Sequence, residues 1–280
     1  AASPRLACQM QIIPSPLTDE ERESEPFFAA CAAEVEFLED QLLAGEFRLV
    51  AVRAPDLVLP LRKGVAYAAV PPRDTPFDAL LSRRGAIIDD LEDGAKVGVL
   101  TLRSKLQVQA LWPHLDVRLR HGGVLAALDA LLRRSDLDAL VAPAAVAEHL
   151  GLQSIVTEIF SPDLVLPGGG EGILVVLGQA EDQEVRDILA PIHCAATFCE
   201  MEAEHAFLQR FASDQDLPLS VLARCAGDRI TITGAVGSSQ GASVARITQD
   251  GPAAEAAALG ANLAEQLLQS DATVISLLEA

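Results

Sequence analysis

Residues 194–215 read CAATFCEMEAEHAFLQRFASDQ and are followed by Asp216-Leu217-Pro218-Leu219. Phe198, Met201, His205 and Leu208 recur at three- and four-residue steps, as do Ala203, Ala206, Phe207 and Phe211. That period predicts a helix. The polar run that closes the stretch predicts a turn before a strand.

On the C-terminal side, residues 217–224, 229–236 (RITITGAV) and 243–249 (SVARITQ) predict three strands. A long Ala/Leu helix follows Asp250-Gly251, from Pro252 to about Gln269. Strands in a run, closed by a helix, predict a separate α+β module. On the N-terminal side, residues 181–189 predict a helix, preceded by LVLPGGGEGILVV over 164–176. A Gly-rich turn cradles phosphate when a helix N-terminus follows it. Here a strand follows, with no Gly-Lys-Ser/Thr, so the turn reads as a crossover between domains.

Further upstream, strand and helix alternate. Lys96–Leu100, Asp116–Leu119 and Leu137–Pro143 predict strands, and the segments after them predict helices over 101–111, from Gly122-Gly123 to about Arg134, and over 144–150. Such dense alternation indicates parallel sheets. Before the break at Pro71-Pro72-Arg73-Asp74-Thr75-Pro76, Pro26 opens a helix that Gly45 ends, and residues 47–52 and 65–70 predict buried strands. QMQIIP at 9–14 predicts one more strand, and the acidic run 18–25 a solvated loop.

The chain has 280 residues, half of them hydrophobic, and a formal net charge of −19. That length suits two or three domains. An acidic chain excludes nucleic acid and anionic lipid as natural partners, and no apolar run reaches a membrane span. Five scattered cysteines (Cys8, Cys31, Cys194, Cys199, Cys225) read as free thiols in a reducing compartment rather than a secreted disulfide framework. A five-residue helical step sets Cys194 and Cys199 about 140° apart, which does not suit a zinc site.

The run Ala203-Glu204-His205-Ala206-Phe207-Leu208 resembles the A-E-R-A-F-L helix of hydroxymethylbilane synthase (porphobilinogen deaminase). Other segments resemble that family in the same order. Leu42-Leu43-Ala44-Gly45-Glu46 with FRLVAV resembles A-L-L-x-G-x-I-D-I-A-V, and 71–80 resembles P-R-E-D-P-R-D-A-L. Val97-Gly98 with Thr101-Leu102-Arg103 resembles V-G-T-S-S-L-R-R, Leu119-Arg120 with Gly122 resembles L-R-G-N, and Leu150-Gly151-Leu152 resembles L-G-L. Leu166-Pro167 through Gly170-Glu171-Gly172 resembles L-P-A-P-G-Q-G.

The resemblance implies an α/β fold with two doubly wound lobes, like periplasmic binding proteins, plus a small α+β C-terminal domain. The first lobe would hold residues 1–72 and 171–190, the second 73–170, and the C-terminal domain 191–280. It also implies an enzyme that condenses four porphobilinogen units on a dipyrromethane cofactor, held as a thioether by a loop cysteine. The growing chain's carboxylates need fixed cations.

At those positions this chain departs from the family. The cofactor cysteine falls on Gln215, and Cys225, ten residues on, is a poor substitute. The family's H-S-x-K-D corresponds to Arg53-Ala54-Pro55-Asp56, so Asp56 stands in for the catalytic aspartate while Pro55 replaces the lysine. The paired arginines become Arg103 and Ser104, Arg120 stays, the next arginine falls on Ala127, and K-R becomes Glu148-His149. Each lost ion pair forfeits on the order of a few kcal/mol at an effective dielectric near 20.

The expectation is therefore a catalytically inactive relative, without bound cofactor, kept as a structural or interaction subunit of a larger complex. Asp56, Arg103 and Arg120 are its residual cleft residues. The alternative is a divergent working synthase of tetrapyrrole biosynthesis that uses dipyrromethane. The bland alternatives are a surface salt bridge for each arginine and a turn for Asp56. No counterpart of the family's first strand precedes QMQIIP, so either upstream residues or a protein partner is expected to cover that sheet edge. An organelle such as a plastid is the expected compartment if the source is eukaryotic.

Overall fold

The computed structural model describes residues 27–134, 136–211, 217–237 and 244–270. The expected strand at 9–14, the acidic run 18–25 and Gln215 lie outside them.

Helix α1 (Phe27–Leu43) stops where Gly45 takes φ 79°, the left-handed conformation that glycine adopts without a Cβ clash. Its buried side, Val35 and Leu42, rests on a three-stranded sheet. That sheet is built from β1 (Leu49–Arg53), β2 (Val65–Ala69) and β8 (Leu174–Gln179), in the order β1-β8-β2.

The second sheet has the order β5-β4-β6-β3-β7. Its strands are β3 (Asp78–Ser82), β4 (Lys96–Val99), β5 (Asp116–Leu119), β6 (Ala139–Pro143) and β7 (Val156–Ile159). Helices α2 (Leu102–Leu111), α3 (Gly123–Asp129) and α4 (Ala144–His149) connect them. Along β3, Leu80 enters one core with Val97, Val99, Trp112 and Phe160. Ala79 and Leu81 enter another, with Leu131, Leu140 and Ala142. Alternate residues thus face opposite, fully covered sides of the sheet.

The strands whose alternation predicted parallel pairing do pair that way, β4 with β5 and β4 with β6, while the other described pairs are antiparallel. Strand β3 is antiparallel to β6 and β7, and β8 is antiparallel to β1 and β2. The reason lies in the crossings. The chain leaves β2 for β3 through an extended segment rather than a crossover helix, and returns into β8 through the Gly-rich turn, so each crossing strand enters its sheet reversed. The fold is α/β, two sheets with connecting helices plus a small C-terminal unit.

That unit is an antiparallel meander, β11-β10-β9, made of β9 (Leu219–Ala226), β10 (Arg229–Gly237) and β11 (Val244–Pro252). Helix α5 (Gln183–Leu189) leads into α6 (Ala195–Gln209), and α7 (Ala256–Ser270) comes last. Helix α6 is apolar on two sides because it serves two cores. Met201 is buried with the first sheet, and Ala203 and Phe207 are buried with the meander. A Cβ at Gly260 of α7 would lie 2.0 Å from the Ala203 carbonyl oxygen, so only glycine lets α7 cross α6 this closely. No described helix is long and apolar enough to cross a membrane.

Candidate functional site

Strand β1 delivers Arg53 to a tight 3-10 turn, Ala54–Asp56. Pro55 in its first turn suits the conformation, since proline's fixed φ and missing N–H cost nothing there. The Ala54 amide donates to the Ile173 carbonyl at 2.9 Å, tying the turn to the start of β8. Gly170 (φ 78°) presses against it from the crossover; a Cβ there would lie 2.9 Å from the Pro55 nitrogen. Within the turn, the Arg53 guanidinium donates to both Asp56 oxygens, at 2.8 and 2.6 Å.

Helix α2 places a second pair beside the first. Thr101 caps the helix by accepting from the Ser104 amide. Arg103 Nη2 and Ser104 Oγ both donate to Asp78 Oδ2, at 2.8 and 3.2 Å. Arg103 Nη1 also donates to the Leu166 carbonyl. Arg103 and Asp78 are buried. The expected surface ion pair of Arg103 is therefore an interior one, which makes the arginine a structural clamp between α2, β3 and the crossover.

Glu171 sits between the two pairs. Its residue keeps some surface, yet protein encloses its carboxyl, and this desolvation pushes its pKa up to about 7. Asp78 and Asp56 push it the same way, against Arg103 and Arg53. The cluster thus holds three carboxyls, two guanidiniums and one exchangeable proton near neutrality. The sequence signal for Glu171 was the departure from the glutamine of G-Q-G, and the pairing of Asp78 left no local signal.

Arg120 follows β5, near Gly98. Its buried Nε has no hydrogen-bond partner among the described residues. Asp56 and Arg103 both act on Glu171.

Behind the turn lies a third group of charges. Arg73, in the segment between β2 and β3, donates to Glu204 Oε1 at 2.6 Å, to Glu200 at 3.3 Å and to the Glu171 carbonyl at 2.9 Å. Glu204 also accepts from the amides of Gly170 and Ala223. One buried carboxylate therefore joins both crossings to the C-terminal meander. His205, next on α6, is buried beneath Ala54, and burial lowers its pKa to about 4 against a hydrogen bond to that backbone. Its Nε2 has no hydrogen-bond partner among the described residues.

Does this cluster fit a dipyrromethane bearing acetates and propionates? Arg53 and Arg103 each already hold a protein carboxylate, so neither offers a spare cation to the group's acetates and propionates. An open depression of about 290 Å³ lies elsewhere, lined by the acids Asp90, Glu92, Asp93 and Asp138 and by one cation, Arg84. The excess of acids disfavours a polycarboxylate there.

The family model "Porphobilinogen deaminase, dipyromethane cofactor binding domain" matches residues 28–187, and "Porphobilinogen deaminase, C-terminal domain" matches 198–269. The porphobilinogen deaminase of Roseiflexus castenholzii is 36% identical over 233 residues, covering 83% of this chain and 76% of the relative. That of Syntrophotalea carbinolica is 32% identical over 234 residues, covering 84% and 74%. Among solved structures, the methionine-binding protein MetQ matches at 14% identity, with 55% of this chain and 72% of that one covered and a TM-score of 0.37. Two domain matches in the right order, with more than four-fifths of the chain aligned, establish that it belongs to the porphobilinogen deaminase (hydroxymethylbilane synthase) family.

Proposed function

We propose that this protein keeps the porphobilinogen deaminase framework without assembling hydroxymethylbilane, and serves as a structural or interaction subunit. The observation that carries this reading is the closure of its cleft arginines on their own carboxylates, Arg53 on Asp56 and Arg103 on Asp78. A bilane's carboxylates would have to displace these partners and leave Asp56 and Asp78 unpaired. Exchanging one carboxylate for another around the same cation returns no net attraction, and an uncompensated buried Asp78 costs several kcal/mol. Gln215, Pro55, Ser104 and Ala127 support the same reading from the sequence. The lobe boundaries expected from the sequence, 1–72 with 171–190, 73–170 and 191–280, belong to this proposal.

A divergent working synthase, condensing four porphobilinogen units in tetrapyrrole biosynthesis, is the second reading. The family comparisons favour it over the first, because the cofactor-binding domain itself is matched and the aligned relatives carry the name porphobilinogen deaminase. Asp56 next to Glu171, a carboxyl titrating near neutrality, is the acid–base equipment such an enzyme would keep.

One experiment separates the two. Purified protein is incubated with porphobilinogen, and both bilane formation and the intact mass are followed. The first reading expects no bilane and a mass equal to that of the unmodified chain. Bilane at a rate above the uncatalysed one, or a mass gain equal to a bound dipyrromethane, overturns it in favour of the second.

A further inference from the structure

Three cysteines lie near one another at the base of α6. Cys194 precedes the helix, Cys199 lies in its second turn, and Cys225 lies on β9. The Cys199 and Cys225 sulfurs stand 3.0 Å apart, although both cysteines are free thiols. Cys199 donates onward to the Ala253 carbonyl, and the Cys225 amide donates to Glu200 Oε1 at 3.0 Å. The Cys199 thiol and the Cys225 backbone are thus each tied to a neighbouring segment. Both side chains sit at the rim of the meander core, half-buried, where a small oxidant can reach them.

We propose that Cys199 and Cys225 are a reversible disulfide site, oxidised by low-molecular-weight disulfides of the glutathione class. One protein thiolate attacks a sulfur of oxidised glutathione, forming a mixed disulfide and releasing one glutathione thiolate. The second protein thiol, losing its proton, attacks the protein sulfur of that mixed disulfide and releases the second glutathione. Two thiols become one disulfide, the two electrons pass to the oxidised glutathione, and two glutathione thiols leave. A large excess of reduced glutathione returns the dithiol.

The geometry gives the bond a definite effect. It would link helix to sheet across 26 residues of chain, which narrows the unfolded ensemble and stabilises the folded one. Cys199 also precedes Glu200, whose carboxylate meets Arg73. The linkage therefore pins the part of α6 that holds the β2–β3 crossing. Cys225 is pushed up to about 12, by burial first and then by its contact with Cys199. A thiol that ionises so reluctantly needs a partner already in place, which Cys199 supplies. Cys194 is the competing thiol. Hydrogen bonds from Thr197 lower its pKa, so it reacts with small disulfides as well.

The test uses the full chain. Reduced protein is equilibrated with oxidised glutathione, free thiols are blocked, and the digest is mapped without reduction. A peptide linking Cys199 to Cys225 is expected, with the melting temperature raised by several degrees and restored by reductant. Cys194→Ser should keep both the linkage and the shift. Cys199→Ser and Cys225→Ser, each checked to be folded when reduced, should lose both. Glutathione adducts on Cys199 or Cys225 without the cross-link overturn the proposal, and so does a bond from Cys194 to either of them.

Discussion

Two arginines bracket the crossing between the lobes, and their surroundings differ in kind. The Arg73 side chain is 4% exposed and faces the fully buried Glu204, itself held by two backbone amides. The Arg53 side chain is 43% exposed and grips Asp56 three residues away. Arg73 joins segments 131 positions apart and has no freedom to leave. Arg53 closes one turn and faces solvent. Burial therefore makes the first pair architecture, while the second pair can open at small cost. The Arg103–Asp78 pair stands between them, buried like the first yet beside the turn that bears Asp56.

The sharpest way to break this contrast is Glu204→Gln. It keeps the shape but removes the charge opposite a buried guanidinium, with an expected loss of about 3–5 kcal/mol in urea denaturation. A loss no larger than that from Arg53→Ala would show that the two pairs do not differ as described. Next comes Arg103→Ala, which leaves Asp78 with Ser104 alone. About 2–4 kcal/mol should be lost, and adding Asp78→Asn should recover part of it in a double-mutant cycle.

Glu171→Gln sharpens the comparison through pH. The folded carboxyl titrates near 7, against an ordinary 4.5. Between those values the folded chain keeps a proton that the unfolded chain has released. Stability from this group is thus full at the acid end of that window and falls as pH rises through about 7. The glutamine variant should match the parent near pH 5 and be more stable by on the order of 1–3 kcal/mol near pH 8. Equal pH slopes for the two proteins would remove Glu171 from the cluster. The smallest effect belongs to Arg53→Ala, with under about 1 kcal/mol expected at any salt concentration. A larger loss would make the turn part of the architecture.

Much of the fold was legible in sequence. The apolar periods located α1, α2, α6 and α7, and Gly45 marked the end of α1. Strands β3 and β7 were missed for opposite reasons. Strand β3, DALLS, is buried throughout and shows no alternation, while the edge strand β7, VTEI, is short and only half-buried. The parallel pairing expected from alternation held for β4, β5 and β6, while the direction of the strands outside that alternation depends on the route of the connections. At the cluster around Glu171, Asp56 and Arg103 stand at positions the family motifs had singled out. Asp78, Glu171 and Arg73 were not, since their partners lie far along the chain.

The sequence alone settled the helix around Glu204, the order of the family's motifs, and the amide at residue 215. These are properties of single positions or of neighbours within a few residues. Only the tertiary structure decided which charges meet. Asp78 finds Arg103 across 25 positions, and Arg73 finds Glu204 across 131. An ion pair is fixed by distance and desolvation in space, and neither is written in the spacing of residues along the chain.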